Sequence, residues 1–115
     1  MQIQVNSSNH FEGNARLDQW VRSTLESSLE RYEDDLTRIE VHLRDENGAK
    51  PGTHDKRCQM EARPKGHQPI SVTHTATSLD QAVDGAATKL SHALEHFYGK
   101  LRSKRGVLEL SDPDA

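Results

Sequence analysis

The sequence predicts an α+β fold, a two-layer β-α-β-β-β-α chain with a four-stranded sheet and two parallel helices packed on one face. Three observations predict it. Apolar and polar residues alternate with period two in the segments 2–6, 37–44, 56–63 and 70–77. Apolar residues recur at steps of three and four across 15–32 and 79–101. Turn and cap residues punctuate the joins between these segments.

The opening run Gln2-Ile3-Gln4-Val5-Asn6 reads as a short, half-buried strand ended by Ser7-Ser8-Asn9. From Ala15 to Tyr32, the residues Leu17, Trp20, Val21, Leu25, Leu29 and Tyr32 fall on one helical stripe, and Asn14 is placed to cap the first turn. Thr37 to Arg44 alternates Ile39, Val41 and Leu43 with Arg38, Glu40, His42 and Arg44, the pattern of a strand with one wet face. Asn47-Gly48 and Pro51-Gly52 put a loop at 45–55. Lys56 to Arg63 sets Cys58, Met60 and Ala62 against Arg57, Gln59, Glu61 and Arg63, and Pro64-Lys65-Gly66-His67-Gln68-Pro69 supplies a hairpin connection.

Ile70 to Thr77 follows as the fourth strand, with Ile70, Val72, His74 and Ala76 on its apolar side. Ser78-Leu79-Asp80-Gln81 matches a capping box, in which serine hydroxyl and glutamine side chain satisfy each other's free backbone donors. The second helix that it opens carries the stripe Leu79, Ala82, Val83, Ala86, Leu90, Ala93, Leu94, Phe97 and Leu101, and Gly106 marks its end. A helical crossover between the first two strands makes them parallel, and the next two follow as antiparallel neighbours. Chain direction then sends both helices the same way over one apolar sheet face and leaves the other face open and polar. Residues 1–106 are expected to form a single domain and 107–115 a disordered acidic tail.

A chain of 115 residues can bury one adequate core, but apolar residues make up only 32%, so they must concentrate on element faces as the periodicity indicates. Cys58 is the only cysteine and cannot form an internal disulfide, which fits a reducing compartment. No apolar run approaches ~20 residues and the start lacks a signal-peptide pattern, so a cytoplasmic protein without a membrane partner is expected. The net charge of −3 conceals a segregation of sign: residues 1–49 sum to −5, 50–67 to +3, 68–88 to −2, 89–105 to +4 and 106–115 to −3. Two basic islands therefore stand in an acidic chain.

Leu29-Glu30-Arg31-Tyr32, followed by Asp34, Leu36, Ile39 and Val41, resembles the helix-to-strand junction of the ribosome hibernation-promoting factor and ribosome-associated inhibitor family, also described as sigma-54 modulation protein-like. Ala82-Val83-Asp84, Lys89-Leu90 and Lys100-Leu101 resemble its second helix, and the likeness covers roughly residues 1–105. The resemblance implies a translation inhibitor of stasis that binds the decoding side of the small ribosomal subunit, on its 16S-type rRNA. The physical basis would be phosphate neutralisation by Lys and Arg, with little reading of bases. Lys89 and Lys100 keep the family's charge, and Arg102, Lys104 and Arg105 continue it. Relatives tend to carry more cations where this chain has His92, His96 and Tyr98, and the first helix offers Thr24, Ser27 and Ser28. Binding weaker or more pH-sensitive than in a strongly basic relative is expected, because imidazoles gain charge near neutrality. Since the chain ends soon after the second helix, the extra carboxy-terminal domain with which long members pair ribosomes is not expected.

The expected rRNA-binding residues are thus Lys89, His92, His96, Lys100, Arg102, Lys104 and Arg105, with Arg63 and Lys65 as secondary contacts. Each has a plainer explanation. Cations at a helix C-terminus complement the macrodipole, and those on strands can serve cross-strand pairing. His92 and His96 have a metal-ligand spacing, but no glutamate follows the first histidine and the other histidines are scattered, so no metal or cofactor is expected. His74 and Cys58 read as packing residues, and Trp20, Tyr32 and Phe97 as core, with Tyr98 off the stripe. No phosphate loop, nucleophile elbow or carboxylate pair stands out, which removes the case for an enzyme or a small-molecule substrate. The rival to RNA binding is a protein-interaction module on the same fold with weak or lost RNA binding. A double-stranded RNA-binding domain, which begins with a helix, is disfavoured by the strand at Gln2 to Asn6.

Overall fold

The computed structural model describes residues 1–7, 15–45 and 56–109, with side chains as far as Ser103. The elements are β1 (Gln2–Ser7), α1 (Ala15–Ser28), a 3-10 turn (Glu30–Tyr32), β2 (Leu36–Asp45), β3 (Lys56–Pro64), β4 (Ile70–Ala76) and α2 (Leu79–Glu109). The sheet runs in the order β1-β2-β3-β4, with β1 parallel to β2 and the other pairs antiparallel. Both helices pack on its apolar face, as the periodicities require. Asn14, the loop residues 46–55 and the tail residues 110–115 lie outside the described residues.

Strand parity builds the core. Ile3, Ile39, Val41, Leu43, Cys58, Met60, Ala62 and Ala76 point inward and meet Val21, Leu25 and Leu29 from α1 and Ala82, Val83, Ala86, Leu90 and Leu94 from α2. Leu36 and Ile39 are both buried although three residues apart. A register irregularity between Leu36 and Arg38 reconciles them, because one extra residue turns the parity over. Arg22 latches α1 to the first strand, donating to Asp18 Oδ2 at 2.7 Å and to the Ile3 carbonyl at 2.6 Å.

Three boundaries differ from expectation for physical reasons. α1 stops at Ser28 rather than reaching Tyr32, because the chain tightens to three-residue bonds, Tyr32 N–H to Leu29 O (2.9 Å) and Glu33 N–H to Glu30 O (3.2 Å), ahead of the poor helix formers Asp34 and Asp35. α2 continues through Gly106 to Glu109; an interior glycine costs about 1 kcal/mol against alanine and does not by itself end a helix. At the start of α2 half of the capping box forms. Gln81 N–H donates to Ser78 Oγ at 3.4 Å, while the Gln81 side-chain carbonyl accepts from the Thr77 hydroxyl at 3.2 Å. The Ser78 hydroxyl also holds the exposed Asp80 carboxyl below its ordinary pKa.

The apolar stripe of α2 outlasts the surface it packs on. At 31 residues the helix is about 46 Å long, whereas the longest strand, of 10 residues, spans about 33 Å. Phe97, expected in the core, is only half-buried and packs edge-on against the turn residue His67 (centroids 5.1 Å apart) and Tyr98 (5.0 Å). Tyr98, off the stripe, is the ring that packs against the core, stacking on buried Tyr32 at 5.4 Å. Trp20 also sits at the core margin rather than inside it.

The hairpin turn closes with His67 N–H donating to Pro64 O at 3.2 Å, and Gly66 takes φ +75°, a conformation that side chains rarely adopt. Lys65 N–H (3.0 Å) and the Tyr98 hydroxyl (3.3 Å) both donate to the Asp35 carbonyl, so hairpin, 3-10 turn and α2 are tied at one point. Burial and the nearby Asp35 and Tyr32 push the Tyr98 hydroxyl above its ordinary pKa.

α2 lies close against the sheet at Gly85, where an added Cβ would lie 2.1 Å from Cδ2 of His74. The imidazole takes the space a side chain would need. Gly85→Ala is therefore expected to destabilise the fold by about 1–3 kcal/mol in urea unfolding. In a His74→Ala background the same change should instead stabilise by roughly 0.5–1 kcal/mol, because only helix propensity remains. Equal effects in the two backgrounds would show that the ring is not the obstacle.

Burial pushes the Cys58 thiol up to about 12, so at pH 8 it is neutral as well as enclosed. Thiol reagents are expected to label it only as fast as the sheet opens, with complete labelling in denaturant. Prompt labelling of the native protein would show an open core at β3.

Candidate nucleic-acid interface

Helical geometry sorts the cations of α2 by side. Lys89, His92, His96 and Lys100 stand three or four residues apart, which aligns them along one flank, and all four are exposed. His92, His96 and Lys100 line an open groove of about 490 Å³ together with Glu95, Gly99 and Ser103. Sequence reasoning left out Glu95 and Ser103, although they lie three and eleven residues beyond His92 and so recur on its side of the helix. Glu95 places one negative charge in an otherwise cationic or neutral row.

Lys89 occupies the sheet-proximal end of this flank and is already engaged. Its ammonium donates to the Thr73 carbonyl on β4 at 2.9 Å, which ties the middle of α2 to the edge strand. Lys100 stands beyond the last buried turn of α2, exposed and extended past the core residue Leu94. Arg102 is exposed too, but its two-residue offset from Lys100 turns it about 200° round the helix, so it does not join the flank. Lys104 and Arg105 lie on α2, and their side chains are outside the described residues.

Arg63 is not brought to this surface. Its position on β3 puts it on the open sheet face, away from the helices, where its guanidinium donates to Glu40 at 3.3 Å and Glu61 at 3.1 Å. Arg38 adds a 2.9 Å bond to Glu40 and is the first cause of that partly buried carboxyl's lowered pKa, with Arg63 reinforcing it. Arg63 thus spends its charge on two carboxylates of its own sheet. Lys65 is exposed at the hairpin turn, at the same end of the molecule as Phe97 and therefore near where α2 leaves the sheet.

Among the described residues no three His, Cys, Asp or Glu side chains gather as a metal site. No described helix is long and apolar enough to cross a membrane. What the α2 flank offers chemically is hydrogen-bond donors and positive charge in an extended line, suited to a polyanion rather than to a compact substrate.

The sequence pattern of the Sigma 54 modulation protein / S30EA ribosomal protein family matches residues 3–102, nearly the whole described chain. No curated protein sequence matches. Among solved structures, the chain is similar to the N-terminal domain of Thermus thermophilus Protein Y, with a TM-score of 0.67 at 22% identity, over 84% of this chain and 99% of that one. A ribosomal subunit interface protein from Coxiella burnetii gives a TM-score of 0.64 at 18% identity, over 86% and 99% of the two chains. At these identities the structures establish the fold, and the matching pattern establishes kinship. The element order, the single covered sheet face and the match over residues 3–102 make this chain a member of the Sigma 54 modulation protein / S30EA ribosomal protein family.

Proposed function

We propose that this domain is a non-catalytic hibernation factor of the cytoplasm, which binds the small ribosomal subunit through phosphates of its 16S-type rRNA and holds idle ribosomes out of translation. The observation that carries the reading is the exposed row Lys89, His92, His96 and Lys100 on one flank of α2, in a chain that belongs to a ribosome-associated family. α2 carries Arg102, Lys104 and Arg105 past Leu94, its last buried residue among those described.

The cations do not contribute equally. Lys89 must share its ammonium with the Thr73 carbonyl, whereas no such tie holds Lys100 among the contacts described. Phosphate contact through Lys100 therefore displaces only water and counterions, and each such contact adds about 0.9 to the slope of log affinity against log salt on duplex, or about 0.7 on single strands. Glu95 opposes part of this attraction, which fits a binder of moderate rather than extreme strength.

The Lys100→Glu/Arg102→Glu double variant is expected to lose co-sedimentation with small subunits while keeping its circular dichroism and melting temperature. Lys89→Gln should weaken binding less than Lys100→Gln does. Undiminished co-sedimentation of the double variant would overturn the site assignment, and binding insensitive to salt between 50 and 200 mM would favour a protein partner instead.

A further inference from the structure

Of the aromatic side chains described, Tyr32 is buried, and Trp20 and Tyr98 pack against the core. Phe97 does not join them. It is half-buried where α2 reaches the β3–β4 turn, and its ring meets the His67 imidazole edge-on, with centroids 5.1 Å apart and planes at 80°. Two rings at nearly a right angle form a corner. An edge-on contact engages at most one face of the imidazole, and every residue from Lys65 to Pro69 is exposed, so a flat side of His67 is left to solvent.

Both walls of the corner are held in place. Gly66 at φ +75° turns the chain tightly, His67 N–H closes the turn on Pro64 O at 3.2 Å, and Lys65 N–H ties it to Asp35 O at 3.0 Å. Phe97 abuts Tyr98 at 5.0 Å, and Tyr98 in turn stacks on Tyr32 and donates its hydroxyl to the same Asp35 carbonyl. A flat partner entering this corner need order no loop, so little of the stacking energy goes into rearrangement. Positive charge stands on either side. Lys65 precedes His67 by two residues in the turn, Lys100 follows Phe97 by one helical turn, and both are exposed. Asp35, whose charge bears on Tyr98, belongs to the side of Phe97 about 100° round the helix, whereas Lys100 stands about 60° the other way.

A ring corner between two ammonium groups matches a single unpaired nucleotide, because a base offers a flat face to stack and its strand offers a phosphate on each side. An acidic peptide would use the cations and leave the rings idle. We propose that the corner of His67 and Phe97 receives an unpaired base of a single RNA strand, whose flanking phosphates are drawn to Lys65 and Lys100. The proposal rests on the RNA reading of the α2 flank, which shares Lys100, and adds to it a contact that salt does not screen.

The test uses the full chain with carbon-13 in its aromatic rings, titrated with six-nucleotide oligoadenylate at low ionic strength. Saturable upfield shifts are expected at the ring protons of His67 and Phe97, from the ring current of a stacked adenine. Phe97→Leu should weaken hexamer binding at least about fivefold without changing its salt slope, and Phe97→Tyr, which keeps the ring, should restore it. Lys65→Gln should instead lower the salt slope by about 0.7. If the amide spectrum shows that Phe97→Leu is unfolded, His67→Ala, at an exposed position, carries the same expectation. An RNA hairpin with its bases paired should bind Phe97→Leu and wild type equally. Rings that stay unmoved while amides of the α2 flank shift, hexamer affinity unchanged in both ring variants, or equal losses for hexamer and hairpin would overturn the site. Co-sedimentation of the wild type with small subunits separates this outcome from the ribosome reading. Shifted rings without sedimentation defeat that reading and leave the corner, whereas sedimentation with unmoved rings defeats the corner and leaves the reading.

Discussion

Burial of one stripe of α2 against the inner face of the sheet is the contact on which the remaining geometry depends. Val83, Ala86, Leu90 and Leu94 are fully enclosed, and small residues at Ala82, Ala86 and Ala87 bring the helix close enough for Gly85 to sit on the His74 ring. Burial of side chains of this size is worth roughly 1.5–3 kcal/mol each for the larger aliphatics, far more than any exposed ion pair on the surface. With that stripe buried, the azimuth of every other α2 residue is set. Lys89, His92, His96 and Lys100 must then share one flank, and Tyr98 must turn toward Tyr32.

The same contact explains why the two sides of the domain differ in character. The helices cover one sheet face and leave the other with Arg, Glu, Gln, Asn, Ser and Thr in ordered rows. Ion pairs there contribute little to stability singly, but they decide where charge remains available. Arg38 and Arg63 are consumed by Glu40 and Glu61. On the helical side the available charge lies farther along, past the last buried turn.

Much of this was legible in the sequence. Period-two alternation marked all four strands to within one residue at their ends, because each strand has one wet and one dry face and parity alone sorts its side chains. The α2 flank was legible from helical spacing. Other features depend on lengths and crossings that no local pattern encodes. Phe97 obeys the apolar stripe, yet the sheet ends before it, so the ring has only His67 and Tyr98 to pack on. The end of α1 at Ser28 reflects a tightening of its last turn, and the contact of Gly85 with His74 reflects where α2 crosses β4. Arg63 was visible as a cation, but only the cross-strand register reveals the two carboxylates that claim it. Arg44 and Arg57 were likewise visible as residues of wet faces; their being opposite each other depends on the β2–β3 register across residues 46–55.

The bond from Lys89 to the Thr73 carbonyl has a bearing on solubility as well as on charge. β4 is one of the two outer strands of the sheet, and an outer strand with free carbonyls is a template on which another chain can add a strand of its own. An ammonium seated on one of those carbonyls, borne by a helix packed on the covered face, makes that carbonyl a poorer acceptor for an added strand. Lys89 thus occupies one acceptor of that margin, a role separate from any affinity of the domain for nucleic acid.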